Sequence, residues 1–303
     1  MDRFKQIETF AAVAQRGSLS AAAALEGVAP AIIGRRLDAL EARLGVKLLV
    51  RTTRKVSLTQ EGTAFLEDCQ RILEDFRNAE SAVSLGGRQA SGHLRISAPA
   101  GFGRRHVAPL LPAFLASNPQ VTVSLELSDR LADIVTDGID LAIRIGHLED
   151  SSLVAVRLAA NRRVVVASPD YLARHGRPRT PADLATHQCL TFGRYGNQAR
   201  GWLFTLNGRV EAVRVSGAME CNDGAVLHEW ALAGQGLAWR SMWEVADELR
   251  AGRLESVLDE FEAPDNAIHA VFAQRRHLAL RMRLLIDYLK QTYASPGYWP
   301  GSA

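Results

Sequence analysis

The sequence predicts a small all-α module with a short hairpin at the N-terminus, then a long helix, then a larger α/β body. Three observations predict it. Apolar residues recur at helical spacing in three segments punctuated by Gly17, Gly27 and Gly45; one amphipathic run of about three heptads follows; and beyond a glycine-containing joint, β-rich and helical segments alternate. A chain of 303 residues, 47% apolar and 23% charged, suits a globular protein of two or three domains.

In the first segment Phe4, Ile7, Phe10, Ala11 and Ala14 form one helical face, and Gly17 stops it. Ser18 is placed to cap a second, alanine-rich helix over 19–26, whose high helix propensity and small side chains let another helix approach closely. A third helix begins near Ala29 or Pro30, where proline is tolerated in the first turn. Ile33, Leu37, Leu40 and Leu44 are its buried stripe, which leaves Arg35 and Arg36 on the outer side. Residues 46–50 and 56–59 then read as two short strands around Arg51, Thr52, Thr53, Arg54 and Lys55. Three small helices and a basic hairpin make a winged helix-turn-helix, with one helix in the major groove and the hairpin cations on phosphates or in the minor groove. The charge distribution agrees: residues 1–60 hold ten Lys/Arg against five Asp/Glu, and the rest of the chain 26 against 28. The polyanion, double-stranded DNA, is therefore expected at the N-terminal end.

The stretch GSLSAAAALEGVAPAIIGRRLDALEARLGVKLLVRTTRKVSLTQEG, from Gly17 to Gly62, resembles the N-terminal signature of the LysR-type transcriptional regulators. The resemblance implies a DNA-binding domain over 1–59, with the helix-turn-helix at about 19–38. Pro30, Ala31, Ile33, Gly34 and Arg35 would then face DNA, with Ser18, Arg36 and the wing residues Arg51, Thr52, Thr53, Arg54 and Lys55 beside them. Burial of Ile33 is the competing reading.

Residues 60–91 are expected to be a linker helix and hinge. Phe65, Cys69, Ile72, Phe76, Ala79 and Val83 alternate spacings of four and three, a coiled-coil seam. The seam predicts a dimer, and by family likeness a tetramer; docking on the protein's own body is the alternative. Two symmetric readers imply a pseudo-palindromic promoter site. Gly86, Gly87 and Gly92 mark a joint before the next domain.

From 92 to 293 the expected strands are 93–98, 121–127, 141–145, 154–158, 164–167, 213–216 and 268–272. The expected helices are 105–116, a short one before residue 141, 224–233 and 279–293. This parallel α/β pattern resembles the two-lobed type 2 periplasmic-binding-protein fold of LysR effector domains. One lobe is expected over 92–161 with 267–293, the other over 162–266, and a disordered tail over 294–303. Ligands collect at the C-terminal ends of parallel strands, where helix N-termini offer free N–H groups. Three places satisfy that rule: Ser97, Ala98, Pro99, Ala100, Gly101 and Phe102; Arg144 with Gly146; and Thr191 with Phe192, facing Asn222 and Asp223. Trp239 is a further candidate. Ser97 and Asp223 can instead cap helices, Phe192 can be core, and Trp239 can merely pack. Arg144, ending an apolar strand, needs solvent or an anion, so a small organic or aromatic acid is the expected effector.

These readings describe a sequence-specific transcriptional regulator, activator or repressor, responding to a small molecule, with RNA polymerase as a further candidate partner. The eight histidines show no HExxH spacing, and neither a GxSxG turn nor a P-loop occurs, so no catalytic residue, metal or cofactor is expected. No apolar stretch is long enough to span a bilayer, and three widely spaced cysteines suit a reducing cytoplasm. The alternatives are a thiol-based redox regulator using Cys189 and Cys221, a solute-binding protein, or an enzyme.

Overall fold

Left-handed glycines end each of the first three helices. α1 (Arg3–Arg16), α2 (Leu19–Glu26) and α3 (Pro30–Leu44) stop at Gly17, Gly27 and Gly45, with φ of 63°, 65° and 74°. Such backbone is cheap only for glycine. The computed structural model describes residues 2–51, 56–83, 89–130, 134, 136–146, 152–193, 201–274 and 278–299, and of residues 51, 74, 75 and 77–83 the backbone alone. It divides into two units, Met1–Gly87 and Arg88–Ala303.

In the first unit, Phe10, Val13, Ala22, Ala23, Ile33, Leu37 and Leu40 form one core. β1 (Leu49–Arg51) pairs antiparallel with β2 (Val56–Leu58), and α4 (Gln60–Val83) follows. The expected seam of α4 is divided. Cys69 is fully buried in the core of this unit and Phe65 packs 5.6 Å from Phe10. Ile72 and Phe76 remain 47% and 45% exposed, although the Phe76 ring also leans on Phe4 at 4.4 Å. The near half of the helix therefore docks on its own module. Ala79 and Val83 lie outside the described side chains.

The second unit carries two sheets. β3 (Ser91–Ala98) leads into one helical stretch: α5 (Ala100–Phe102), a π turn over Gly103–Val107, a 3-10 turn over Ala108–Leu110, and α6 (Leu111–Ser117). Then come β4 (Gln120–Leu127), β5 (Leu141–Ile145) and β6 (Leu153–Ala159). The chain crosses to the second lobe for β7 (Arg163–Ala167), α7 (Pro169–His175), β8 (Cys189–Phe192) and the hairpin β9 (Trp202–Leu206) with β10 (Arg209–Val213). β11 (Glu220–Cys221), α8 (Gly224–Leu232), β12 (Leu237–Ser241), α9 (Met242–Arg250) and β13 (Glu255–Val257) complete that lobe. The chain then returns for β14 (Ile268–Ala273) and α10 (Leu280–Ala294). The strand orders are β4-β3-β5-β14-β6 and β11-β8-β12-β7-β13.

Both sheets are mixed rather than purely parallel. β14 runs antiparallel between β5 and β6, and β7 runs antiparallel between β12 and β13. Both faces are covered: Val165 and Ala167 point into one core of the second lobe, and Val164 and Val166 into the other. The helix expected from residue 105 begins at Ala100. Gly92, expected in the joint, lies inside β3 at φ 98°, with the Arg281 guanidinium 3.3 Å from where a Cβ would stand; Gly86 and Gly87 lie outside the described residues. The strand expected at 213–216 ends at Val213. The short helix expected before residue 141 falls partly on residues outside the description, and 136–138 form a turn. Of the tail expected to be disordered, Tyr298 and Trp299 pack on the first lobe. Residues 300–303 lie outside the described residues.

Candidate DNA interface and effector cleft

At the start of α3, Pro30, Ala31 and Arg35 are exposed and Gly34 is half-buried, so 31 and 35 share one free face. Two neighbours assigned to DNA do not belong there. Ile33 is fully buried, because the four-three spacing that places Leu37 and Leu40 in the core places Ile33 there too. Arg36 turns inward: its guanidinium lies 2.5 Å from Glu26 and 3.3 Å from Thr9 Oγ1, bracing α3 against α2 and α1. Burial raises the Glu26 carboxyl, but hydrogen bonds from Thr9, Lys5 and Arg36 outweigh it and hold the group below the usual carboxylate range. Ser18 caps α2, its Oγ accepting the Ala21 N–H at 3.3 Å. The Arg51 side chain, Thr52, Thr53, Arg54 and Lys55 lie outside the described residues.

In the second unit a cavity of about 140 Å³ opens between the lobes. That volume suits a ligand near the size of benzene better than a nucleotide. Strand ends build it, as the rule for open α/β sheets requires. Pro99, Gly101 and Phe102 come from the turn after β3, Ser128, Asp129 and Arg130 from beyond β4, and Arg144 and Ile145 from the end of β5. The second lobe supplies Arg163, Phe192, Gly224, Trp239, Arg240, Ser241, Trp243 and Glu244.

Cations dominate this lining, with four arginines against two carboxylates, and one carboxylate is already paired with an arginine. Glu244 accepts from Arg240 Nε at 3.0 Å and from Nη2 at 2.7 and 2.6 Å. The Arg163 guanidinium lies 4.6 Å over the Trp239 ring, a cation–π contact, while its Nη1 is buried without a hydrogen-bond partner. Burial and the neighbouring Arg240 pull the Arg163 pKa down to about 10, with Glu244 opposing. Arg144 is buried, and burial lowers its pKa as well. The Asp129 carboxyl is pushed up by burial and by Asp223 and Glu244, against the pull of the Ala100 N–H and Arg240.

Of the residues assigned to the effector, Pro99, Gly101, Phe102, Arg144, Phe192 and Trp239 line the cavity. Ser97, Ala98, Ala100, Gly146, Thr191, Asn222 and Asp223 do not. Ser97 and Ala98 are wholly buried in β3, and Ser97 caps no helix. The Ala100 N–H, expected to be free, donates to Asp129 Oδ1 at 3.0 Å, and Asp223 caps α8 through the Ala225 N–H at 2.7 Å. Both helix N-termini are thus occupied by the chain's own carboxylates, and guanidinium groups supply the positive charge. The sequence reading missed Asp129, Arg163, Arg240 and Glu244. Asp129 was within reach of the strand-end rule, two residues beyond β4; Arg163 and Arg240 sit on the antiparallel β7–β12 pair, which that rule does not cover.

Two of the three thiols, one of them in the Cys189–Cys221 pair of the redox alternative, do not favour redox sensing. Cys189 is buried and its pKa is pushed up to about 12, and burial carries Cys69 to about 11, whereas a reactive thiol needs the opposite shift. Among the described residues no three His, Cys, Asp or Glu side chains are placed to hold a metal, and no helix is long and apolar enough to cross a membrane.

A helix-turn-helix unit followed by a two-lobed α/β unit with a cationic cleft defines a ligand-responsive transcriptional regulator, and the chain belongs to the LysR family. The model for the bacterial regulatory helix-turn-helix protein, lysR family, matches residues 4–63, and that for the LysR substrate binding domain matches residues 87–294. Among its relatives, the HTH-type transcriptional regulator DmlR of Escherichia coli K12 is 37% identical over 288 residues, 95% of this chain and 94% of that protein. The HTH-type transcriptional activator TtdR of the same strain is 33% identical over 285 residues, covering 94% and 92%. CrgA, a LysR-type transcriptional regulator from Neisseria meningitidis, superposes with a TM-score of 0.61 at 31% identity over 96% of this chain and 99% of that one. The full-length virulence activator AphB of Vibrio cholerae gives 0.59 at 28% identity, covering 96% and 100%. The chain is therefore a DNA-binding transcriptional regulator with an effector-binding domain. LysR regulators bind DNA and small effectors and form oligomers.

Proposed function

We propose that this regulator reads a pseudo-palindromic promoter site with the Ala31–Arg35 face of α3, and that a small organic anion held by Arg163 and Arg144 switches it. The reader comprises 1–59, the linker 60–91 and the effector domain 92–293. The exposed Ile72 and Phe76 on α4 support dimerisation through the linker, with a tetramer and contact to RNA polymerase as further steps. One observation carries the anion reading: a buried guanidinium nitrogen without a partner, Arg163 Nη1, in a cavity where arginines outnumber carboxylates. Leaving such a donor unsatisfied is costly, and a carboxylate removes the cost with a charge-assisted hydrogen bond worth about 1.5–3 kcal/mol.

The test is calorimetric titration of the full-length protein with salicylate, benzoate and succinate, with Arg163→Met as the control, alongside footprinting of the upstream promoter. At least one acid binds the unaltered protein and shifts the footprint, and Arg163→Met weakens that binding roughly tenfold or more. Equal binding by Arg163→Met would remove the anion assignment.

A further inference from the structure

Six aromatic side chains of the second unit form one contiguous cluster. Phe102 meets Trp243 edge-on at 5.3 Å, and His106 meets it edge-on at 5.5 Å. Beyond them Trp299 lies 5.0 Å from His106 and stacks 6.4 Å from Phe102, and Tyr298 lies 5.2 Å from Tyr293. Hydrogen bonds fix the arrangement. Tyr293 Oη donates to the His106 carbonyl at 2.7 Å, Trp299 Nε1 donates to the Tyr293 carbonyl at 2.9 Å, and Tyr298 Oη lies 3.2 Å from His106 Nδ1.

Two of these rings, Phe102 and Trp243, line the effector cleft, and they come from opposite lobes. The same junction is fastened by Arg105, whose Nη1 donates to the Glu244 carbonyl at 3.0 Å. Trp243 Nε1 is buried without a hydrogen-bond partner, as Arg163 Nη1 is. The LysR substrate binding domain match stops at residue 294, short of Tyr298 and Trp299.

We propose that residues 295–299 are a strap that positions the Phe102–Trp243 wall of the effector cleft, so that effector affinity depends on a segment that does not line it. The coupling rests on the cleft being the effector site, but the mechanical part does not. Aromatic edge-to-face contacts are directional. With Tyr298 and Trp299 gone, His106 loses the hydroxyl and the ring that hold it, Phe102 loses the ring stacked on it, and Trp243 is loosened through those two. The strap is a positioning element and does not touch the ligand.

The experiment compares the full-length protein with three variants: a chain stopped after Ala294, Trp299→Ala, and Trp299→Phe, which keeps a ring. Amide hydrogen exchange without any ligand reports on residues 100–107 and 242–246, and calorimetry with salicylate, benzoate and succinate reports affinity. Exchange at both segments is expected to rise about tenfold in the shortened chain and in Trp299→Ala, and to recover in Trp299→Phe. The affinity of whichever acid binds falls alongside, while ligand-free protection of promoter DNA is unchanged. Faster exchange confined to 280–294, or spread evenly over the first lobe in Trp299→Ala, would overturn the strap. If none of the three acids binds the unaltered protein, the anion reading falls and the exchange result still decides the strap.

Discussion

Glu41 is a carboxylate buried in the DNA-binding unit, and it organises the entry to the wing. Its Oε1 accepts the Leu48 and Leu49 N–H groups at 3.0 and 3.1 Å, and Lys47 Nζ reaches Oε2 at 2.7 Å. Burial pushes its pKa up, but Lys47 and the two backbone donors outweigh burial and hold it below the usual value. Glu41→Ala strands two backbone donors and is expected to cost about 3 kcal/mol, and Glu41→Gln, which still accepts, about 1 kcal/mol. Because the folded pKa is depressed, the contribution of Glu41 is fully present above the ordinary value of 4.5 and is lost as pH falls through the folded value. Urea unfolding at pH 7 and pH 3.5 checks both points: the gap between Glu41→Gln and the unaltered protein should shrink at the lower pH.

At the scale of elements, α3 separates two adjacent arginines. Arg35 is exposed on the face shared with Ala31, whereas Arg36 is tied to Glu26 and Thr9. Arg35→Ala is expected to leave the thermal midpoint unchanged and to lower promoter affinity, reducing the slope of log affinity against log salt by about 1. Arg36→Ala should lower the midpoint instead, which thermal melts beside salt titrations would reveal; the opposite pattern would mean that their roles are exchanged. The two were indistinguishable by helical periodicity, because the partner of Arg36 lies on α2, ten residues back in sequence and adjacent only after packing. The same physics governs how much of the site was legible. The three helices could be read because glycine stops and apolar spacing are local signals. Phe102, Arg144 and Phe192 could be read because they lie at or just past the ends of strands. Arg163 and Glu244 could not, since their relation to Arg240 is created by the pairing of β7 with β12 and the turn into α9. The strands β8 to β13 were mostly unread, being short and largely without clean alternation.

At the scale of the whole molecule, the two-unit plan was legible from the charge of the first 60 residues, the amphipathic run and the α/β alternation. The mixed character of the sheets was not, because nothing local reveals that residues 268–273 pair antiparallel with strands more than a hundred residues earlier. A chain stopped after residue 266 is expected to keep a protease-resistant second lobe over 162–266 while 91–159 is cleaved quickly, as limited proteolysis with mass spectrometry would show. Resistance of both segments would mean that the first sheet closes without β14.

The place of β14 also bears on how this regulator is made. The DNA-binding unit and the second lobe are each contiguous in sequence, so each has all its strands and helices as soon as it leaves the ribosome. The first lobe lacks the strand that joins β5 to β6 until Ile268–Ala273 emerges, and it lacks the covering α10 for longer still. At 5–20 residues per second, the roughly 110 residues between β6 and β14 hold an unfinished apolar sheet open for about 5 to 20 seconds. During synthesis, the half of the cleft that carries Arg144 is therefore the last part to form and the one most in need of a chaperone.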